Sequence, residues 1–229
     1  MLMPFAQDIW ISDGPTVSTL GFKYPTRMAV IKLPSDNLFV WSPVPIDAEM
    51  REQIDALGPV KFIVSPNSLH HLSMGAWAQA YPDAALCAAP NLMSKRDDLS
   101  FAFEITDMLP SEWADAFEHS IIRGNTIATE VVFFHRASGT VLFADLLQQF
   151  PKGWHKGWRA WVAKLDLMVQ PEPTVPRKFR AAFRDKKAAR LSLAPVLNWP
   201  AQAVLMAHGT PVTRDAQSFL QRAFKWLKV

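Results

Sequence analysis

Two blocks of strands, each followed by helices, are the feature that most restricts what this sequence can fold into. Apolar runs that end at Gly, Pro, Asn or Asp predict strands, and apolar residues at helical spacing predict helices. The first block is predicted to contain strands at 9–11, 28–33, 38–41, 60–64 and 84–88 and helices at 47–57 and 71–81. The second is predicted to contain strands at 120–123, 130–135, 140–144 and 203–207 and helices at 176–197 and 215–226. This order predicts an α+β fold in which two sheets pack face to face with helices outside.

Composition limits the class of protein further. A chain of 229 residues with 49% hydrophobic content can bury a full core, and we expect a single domain over residues 1–229. The net charge is only +3, so the whole-chain charge gives no reason to expect a nucleic-acid binder. The charge is unevenly distributed, because residues 152–190 contain 11 Lys or Arg and 3 Asp or Glu. This segment predicts a basic face that meets something anionic.

Cysteine content and hydropathy favour the cytoplasm. Cys87 is the only cysteine, so neither an intramolecular disulfide nor a thiolate metal cluster can form. The N-terminus lacks the basic and apolar regions of a signal peptide, and no apolar run reaches the ~18 residues of a membrane span. We therefore expect a cytoplasmic protein with no membrane partner.

Polar side chains follow three of the predicted strands. His70 and His71 come after the strand at 60–64, Asp145 after the strand at 140–144, and His208 after the last strand. Loops at the carboxyl ends of strands can converge on one crevice, where α/β proteins usually place their chemistry. These strand ends are therefore the candidate functional site.

The same strand ends carry motifs of a known superfamily. In that superfamily a strand ends in Thr-His-x-His-x-Asp-His, a later loop supplies Pro-Gly-His-Thr, a strand ends in Gly-Asp, and the last strand ends in His-Gly. The corresponding stretches 65–71, 123–126, 144–145 and 207–209 read SPNSLHH, RGNT, AD and AHG, in the same order. The chain thus resembles an uncharacterised branch of the metallo-β-lactamase superfamily with a degenerate metal motif. The resemblance implies a four-layer αββα sandwich with mixed sheets.

The resemblance also implies that one of the superfamily's two metal positions is lost and the other kept. Histidines of the first position would fall on Pro66, Ser68 and Asn125, none of which is an ordinary zinc ligand. The ligands implied for the second position are His70, His71, Asp145 and His208. We expect them to hold one divalent ion, with zinc as the first choice and iron or manganese as alternatives.

A metallo-hydrolase-like protein with a single-metal site is the function implied by this resemblance. The expected substrate or ligand is a small anionic ester, thioester or lactone, and nucleic acid is not an expected partner because no base-stacking module is recognisable. Substrate contacts are expected from Asn67, Asn125, Arg177 and Arg180. Loss of one metal position favours an alternative, in which the protein is catalytically inactive and binds a ligand or partner.

Two further patterns bear on the surroundings of the site. Trp154, Trp158 and Trp161 share one helical face, which we expect to pack on the edge of a sheet. A wall for a substrate and a subunit interface in a homodimer are the alternatives. Glu130 and His135 lie five apart on one predicted strand, so their side chains are expected on opposite faces of the sheet and not as an acid–base pair.

Overall fold

The computed structural model describes residues 1–229 as two β-sheets with helices on their outer faces. The first sheet contains, in spatial order, β1 (Met3–Ala6), β2 (Ile9–Thr19), β3 (Phe22–Lys32), β4 (Leu38–Trp41), β5 (Val60–Ser65), β6 (Ala85–Ala88) and β7 (Phe103–Glu104). The second contains β11 (Ala203–His208), β10 (Thr140–Gln148), β9 (Glu130–His135) and β8 (Phe117–Ile122). The helices are α1 (Ala48–Asp55), α2 (Met74–Ala80), α3 (Ser111–Ala114), α4 (Trp158–Leu165), α5 (Arg177–Ala182), α6 (Lys186–Asn198) and α7 (Ala216–Phe224), followed by a 3-10 turn at Lys225–Leu227.

Both sheets are mixed. Strands β1 to β4 pair antiparallel, whereas β4 to β7 pair parallel. In the second sheet β8, β9 and β10 are antiparallel, and β11 joins β10 in parallel. Each parallel pairing of long strands requires a crossover, which α1, α2 and the segment from α4 to α6 provide. The predicted α+β sandwich of two mixed sheets is confirmed.

Apolar side chains fill three layers of core. Between the sheets, Phe39 of β4 meets Phe133 of β9 with 5.5 Å between ring centroids. On the outer face of the first sheet, α1 and α2 bury Met50, Ile54, Met74 and Trp77. On the outer face of the second sheet, α6 and α7 bury Leu193, Val196, Phe219 and Leu220. These three apolar layers account for the order helix, sheet, sheet, helix.

Helix α1 and strand β9 follow their sequence predictions closely. Asp47 caps α1, and its Oδ1 accepts a hydrogen bond of 2.8 Å from the Met50 backbone N–H. Strand β9 occupies the predicted residues without change. Local chemistry determines both elements, since one has a side-chain cap and the other an uninterrupted β-branched and aromatic run.

Strand β2 and the helix predicted over 176–197 differ most from their predictions. The predicted break at Gly14 does not end β2, because a bulge between Gly14 and Val17 lets the strand continue alongside β3. The helix predicted over 176–197 is divided into α5 and α6. Phe183 pairs with Asn125 in a β-bridge, which takes its backbone out of the helix, and Asp185 then caps α6.

The tryptophan face of α4 departs from the expectation of packing on a sheet edge. Only Trp154, which precedes α4, is half-buried; Trp158 and Trp161 are exposed. No helix in the structure combines the length and apolar character needed to cross a membrane.

Candidate metal centre

Three of the predicted side chains meet at one edge of the two sheets. His70 lies in the loop after β5, whereas Asp145 belongs to β10 and His208 ends β11. The His70 Nε2 atom lies 3.1 Å from Asp145 Oδ2, and His208 Nε2 lies 3.3 Å from Asp145 Oδ1. All three side chains are at least nine-tenths buried, and their candidate ligand atoms lie within 4.8 Å of one another. The first sheet therefore contributes one side chain and the second sheet contributes two.

Hydrogen bonds on the far side of each ring fix the histidine orientations. His208 Nδ1 lies 2.6 Å from the Pro25 carbonyl, which can only accept, so this nitrogen carries the hydrogen. His70 Nδ1 lies 2.7 Å from Ser42 Oγ. The single hydroxyl hydrogen of Ser42 is donated to the Arg27 carbonyl at 3.0 Å, so Ser42 Oγ accepts from His70. In both rings Nε2 consequently faces the same carboxylate, with a lone pair in the neutral form and an N–H donor in the protonated form.

This arrangement of lone pairs fits a divalent ion. Two Nε2 lone pairs and a carboxylate that can only accept would repel one another unless a cation, either a proton or a metal ion, lies among them. Zinc binds nitrogen and oxygen at about 2.0–2.2 Å, which places neighbouring tetrahedral ligands about 3.4 Å apart. The observed separations, 3.1 Å to Oδ2 and 3.3 Å to Oδ1, are close to that value and also suit N–H···O hydrogen bonds from protonated rings.

The charges of the site reinforce one another. Burial by itself raises the pKa of Asp145, but the adjacent imidazoles of His70 and His208 hold this pKa well below its usual value. Burial lowers the pKa of His208, yet the hydrogen bonds to Asp145 and to the Pro25 carbonyl outweigh burial and raise it. Asp145 is therefore an anion at neutral pH, which is the state that a metal ligand requires.

Glu130, at the start of β9, holds the backbone around Asp145. Its Oε1 accepts from the Ala144 N–H at 2.8 Å, and its Oε2 accepts from the N–H groups of Asp145 and Leu146 at 2.7 and 3.1 Å. Burial and the charge of Asp145 raise the pKa of Glu130 to about 7, while these backbone hydrogen bonds lower it. Sequence analysis missed this role; the available signal was a carboxylate in a strand that is otherwise almost entirely apolar.

Asn67 and Gln148 also contact Asp145. The Asn67 amide donates to Asp145 Oδ2 at 2.8 Å, and the Gln148 amide donates to the Asp145 carbonyl at 3.0 Å. Asn67 is fully buried behind the carboxylate and does not line the cavity. The structure thus gives Asn67 a place beside Asp145, not the substrate-facing place expected from the sequence.

A cavity of about 910 Å³ opens onto the three side chains. Two lysines line it, and their ammonium groups are held by neighbouring oxygen atoms. Lys178 Nζ donates to the Tyr24 hydroxyl at 2.7 Å, and Lys95 Nζ donates to the Ser68 carbonyl at 2.7 Å. The Tyr24 ring in turn packs edge-on against His208, with 5.7 Å between ring centroids. Asp166 also lines the cavity, with its Oδ2 atom 3.9 Å from Lys178 Nζ, so it offsets part of the positive charge near the candidate ligands.

The structure brings His70, and not His71, to the carboxylate. His71 lines the cavity, but its Nδ1 lies 3.0 Å from Arg96 Nη1, and its carbonyl accepts from the same guanidinium. Burial, together with the charges of Lys95 and Arg96, lowers the pKa of His71 to about 4. Of the four ligands expected from the sequence, His70, Asp145 and His208 lie together, and His71 does not.

Asn125 is occupied by backbone contacts. Its amide nitrogen donates to the Phe179 carbonyl at 3.0 Å, and its Oδ1 accepts from the Ile127 N–H at 2.9 Å. Asn125 does not line the cavity, so the structure does not place it as a substrate contact. Its hydrogen bonds instead join the loop after β8 to α5.

Neither arginine expected to contact substrate lines the cavity. Arg177 is exposed on α5. Arg180 donates from Nε to the Val175 carbonyl and from Nη2 to the Thr174 hydroxyl, both at 2.8 Å. Lys178, between them in sequence, is the α5 cation that faces the cavity, because successive residues of a helix point in different directions.

Several solved structures that share the fold are distant in sequence. A metallo-β-lactamase from Hirschia baltica has a TM-score of 0.65 and 10% identity, over 99% of this chain and 97% of its own. One from Pontibacter korlensis has a TM-score of 0.62 and 14% identity, over 100% and 98%. FIM-1 from Pseudomonas aeruginosa, in a mono-zinc form, has a TM-score of 0.60 and 13% identity, over 100% and 96%. These likenesses show the fold alone.

Sequence comparison gives the family. No curated protein matches the chain. Residues 7–160 match the family model described as "Domain of unknown function (DUF4336)", a segment that includes His70, Glu130 and Asp145 and ends before His208. Since this match covers more than half of the sequence, the chain belongs to the DUF4336 family, and it has the metallo-β-lactamase fold.

Proposed function

We propose that this protein is a metallo-hydrolase-like enzyme that holds one divalent ion with His70, Asp145 and His208. The observation that carries the proposal is the orientation of the two histidines, whose Nε2 atoms both face one buried carboxylate. Three protein ligands with a side open to a cavity is the pattern of catalytic zinc sites. Zinc is the proposed ion, and iron or manganese could use the same ligands.

The surrounding residues support hydrolysis of a small anionic ester, thioester or lactone. A bound divalent ion supplies Lewis-acid chemistry, because it polarises a carbonyl and makes water acidic near neutral pH. Ser42 and the Pro25 carbonyl keep the two imidazoles aligned. Lys95 and Lys178 place positive charge in the cavity, where they can attract the anionic end of a substrate.

A second candidate function is ligand binding without catalysis. Pro66, Ser68 and Asn125 occupy the positions at which the superfamily's other metal site has histidines. The proposed site therefore holds one metal ion, whereas two-metal relatives activate water between two metal ions. This loss removes part of the activation of both water and substrate. A protein of this kind would still bind an anionic ligand in the same cavity.

Metal analysis of protein purified without chelator tests the site. We expect about one ion per chain in the wild type and loss of that ion in His70→Ala and His208→Ala. His71→Ala is the matched control, because it removes the same side chain from the same cavity wall and should leave the ion in place. A wild type that binds no added zinc, iron or manganese would refute the metal site.

Turnover separates the two candidate functions. The metal-loaded protein should hydrolyse some member of a panel of carboxylate-bearing esters, thioesters and lactones. That activity should fall with Lys178→Met and disappear with His208→Ala. An ion bound with normal stoichiometry, but without turnover of any member, would favour the ligand-binding function.

A further inference from the structure

Helix α4 presents its apolar stripe to solvent. Trp158, Trp161, Val162 and Leu165 have the spacing i, i+3, i+4 and i+7, which places them on one face. Their exposed fractions are 59%, 71%, 39% and 62%, and Ala163 is the only buried residue of the helix. A helix of a globular domain ordinarily turns such a stripe toward the core. This stripe is therefore available to be covered by something outside the chain.

The stripe continues into the rim of the cavity. The tip of the β2–β3 hairpin leans on α4, since the rings of Phe22 and Trp158 pack edge-on with centroids 5.7 Å apart. Leu20, at this tip, is 93% exposed, and Leu72, in the loop after β5, is 68% exposed. Leu20, Leu72 and Val162 all line the cavity. We use the name apolar rim for Leu20, Leu72, Trp158, Trp161, Val162 and Leu165.

Basic residues accompany the apolar rim without acidic partners in the same segments. Residues 15–23, 69–73 and 151–165 contain five Lys or Arg and no Asp or Glu, and Asp166, which follows Leu165, is half-buried with its Oδ2 atom 3.9 Å from Lys178 Nζ. The five are Lys23, Lys152, Lys156, Arg159 and Lys164. Exposed tryptophans and leucines beside lysines and arginines are typical of surfaces that enter the interface of an anionic membrane.

Two other occupants match this surface less well. In a two-fold dimer the same patch would face itself, so the exposed cations of one copy would face those of the other across the interface. A nucleic acid would use the cations and tryptophans, but it offers nothing to cover the aliphatic side chains of Leu20, Leu72 and Leu165. Lipid acyl chains cover aliphatic and aromatic groups alike.

We propose that the apolar rim docks on an anionic lipid surface, so that the cavity opens toward the lipid. This departs from the expectation of no membrane partner. The apolar rim is assembled from three segments far apart in sequence, so it leaves no long apolar run by which the sequence could have indicated it.

Co-sedimentation of the full chain with vesicles tests the docking surface. The wild type should bind vesicles of phosphatidylcholine mixed with phosphatidylglycerol, and added salt should weaken the binding. The double variant Trp158→Ser/Trp161→Ser should bind at least about tenfold more weakly. Lys156→Ala and Lys164→Ala should each weaken binding about fivefold.

Matched controls lie elsewhere on the surface. Leu191→Ser removes a leucine of α6 that is 68% exposed, and Lys61→Ala removes an exposed lysine near the start of β5. Both should bind like the wild type. A wild type that does not sediment with the mixed vesicles, or a double tryptophan variant that sediments equally well, overturns the proposal.

Sedimentation velocity of the same proteins examines the dimer. A contrary result would be a wild type that does not bind vesicles and instead forms a dimer that the tryptophan substitutions dissociate. That result would identify the apolar rim as a subunit interface and overturn the lipid proposal. None of these measurements requires a bound ion. Failure of the metal site and failure of the docking surface are therefore distinguishable.

Discussion

Glu130 is the residue on which the position of Asp145 most depends. It accepts three backbone N–H groups, so in Glu130→Gln an amide NH₂ would face at least one N–H donor. We expect the free energy of unfolding to fall by about 1–3 kcal/mol and metal affinity to fall about 10- to 100-fold. Denaturant unfolding and competition with a chromogenic chelator measure the two effects.

Glu172→Gln is the matched control for this substitution. Glu172 pairs with Arg222 at 2.8 Å, but both side chains are more than half exposed. Exposed pairs contribute little, so stability and metal affinity should stay close to those of the wild type. Equal effects of the two substitutions would show that Glu130 has no special role at the site.

His135 provides a pH-dependent contribution to stability that is remote from the metal centre. Its side chain is buried beside Phe117, and burial lowers its pKa in the folded protein. The unfolded chain therefore takes up a proton near pH 6.5 that the folded chain excludes. The unfolded state binds more protons in this range, so the free energy of unfolding should decrease as the pH falls through about 6.5.

The variant His135→Gln isolates this contribution. Urea unfolding measured from pH 8 to pH 5 should show a smaller loss of unfolding free energy toward acid in the variant than in the wild type. Above about pH 7.5 the plots of unfolding free energy against pH should be parallel, because His135 is not protonated there in either the folded or the unfolded state. Profiles that stay parallel over the whole range would show that His135 does not contribute to the acid sensitivity.

Which histidine reaches Asp145 could not be predicted from the sequence. His70 and His71 are chemically identical neighbours, and the superfamily motif assigns both of them to the metal. Their directions are set by partners distant in sequence, namely Ser42 for His70 and Arg96 for His71. Asp145 and His208 were easier to predict, because each follows an apolar run long enough to specify a strand.

At the scale of elements, prediction succeeded where local chemistry determines the structure. The capped helix α1 and the aromatic strand β9 are examples. It failed where tertiary contacts override local preference. The break between α5 and α6 results from pairing of Phe183 with Asn125, which lies in a loop 58 positions earlier in the sequence.

Helix α4 shows that residue spacing alone does not determine which surroundings an apolar face meets. The tryptophan spacing predicts one helical face that carries Trp154, Trp158 and Trp161, but α4 begins at Trp158 and so carries only two of them. Spacing also does not say whether an apolar face meets the core or solvent. The missing information was that Trp154 alone turns inward, where its Nε1 donates to the Lys23 carbonyl at 2.9 Å. Exposure of the remaining stripe is what makes this element a candidate for contact with a partner.

At the scale of the whole molecule, the candidate metal centre lies where the two sheets meet. His70 follows β5 of the first sheet, whereas Asp145 and His208 belong to β10 and β11 of the second. A metal ion held by all three would be a cross-link between the two sheets near one edge of their shared core. Binding at such a position must favour the folded chain, because the ligands come together only when both sheets are packed.

Metal binding should consequently stabilise the entire fold. At an ion concentration about 100 times the Kd, the free energy of unfolding should rise by about 2.7 kcal/mol, and a chelator should reverse the gain. Thermal unfolding with and without zinc measures it. His70→Ala and His208→Ala should lose the zinc-dependent increase in Tm, whereas His119→Ala should keep it, because His119 lies on β8 and contacts the Thr106 carbonyl. A zinc-dependent increase of equal size in all three variants would place the ion elsewhere and contradict a cross-link between the sheets.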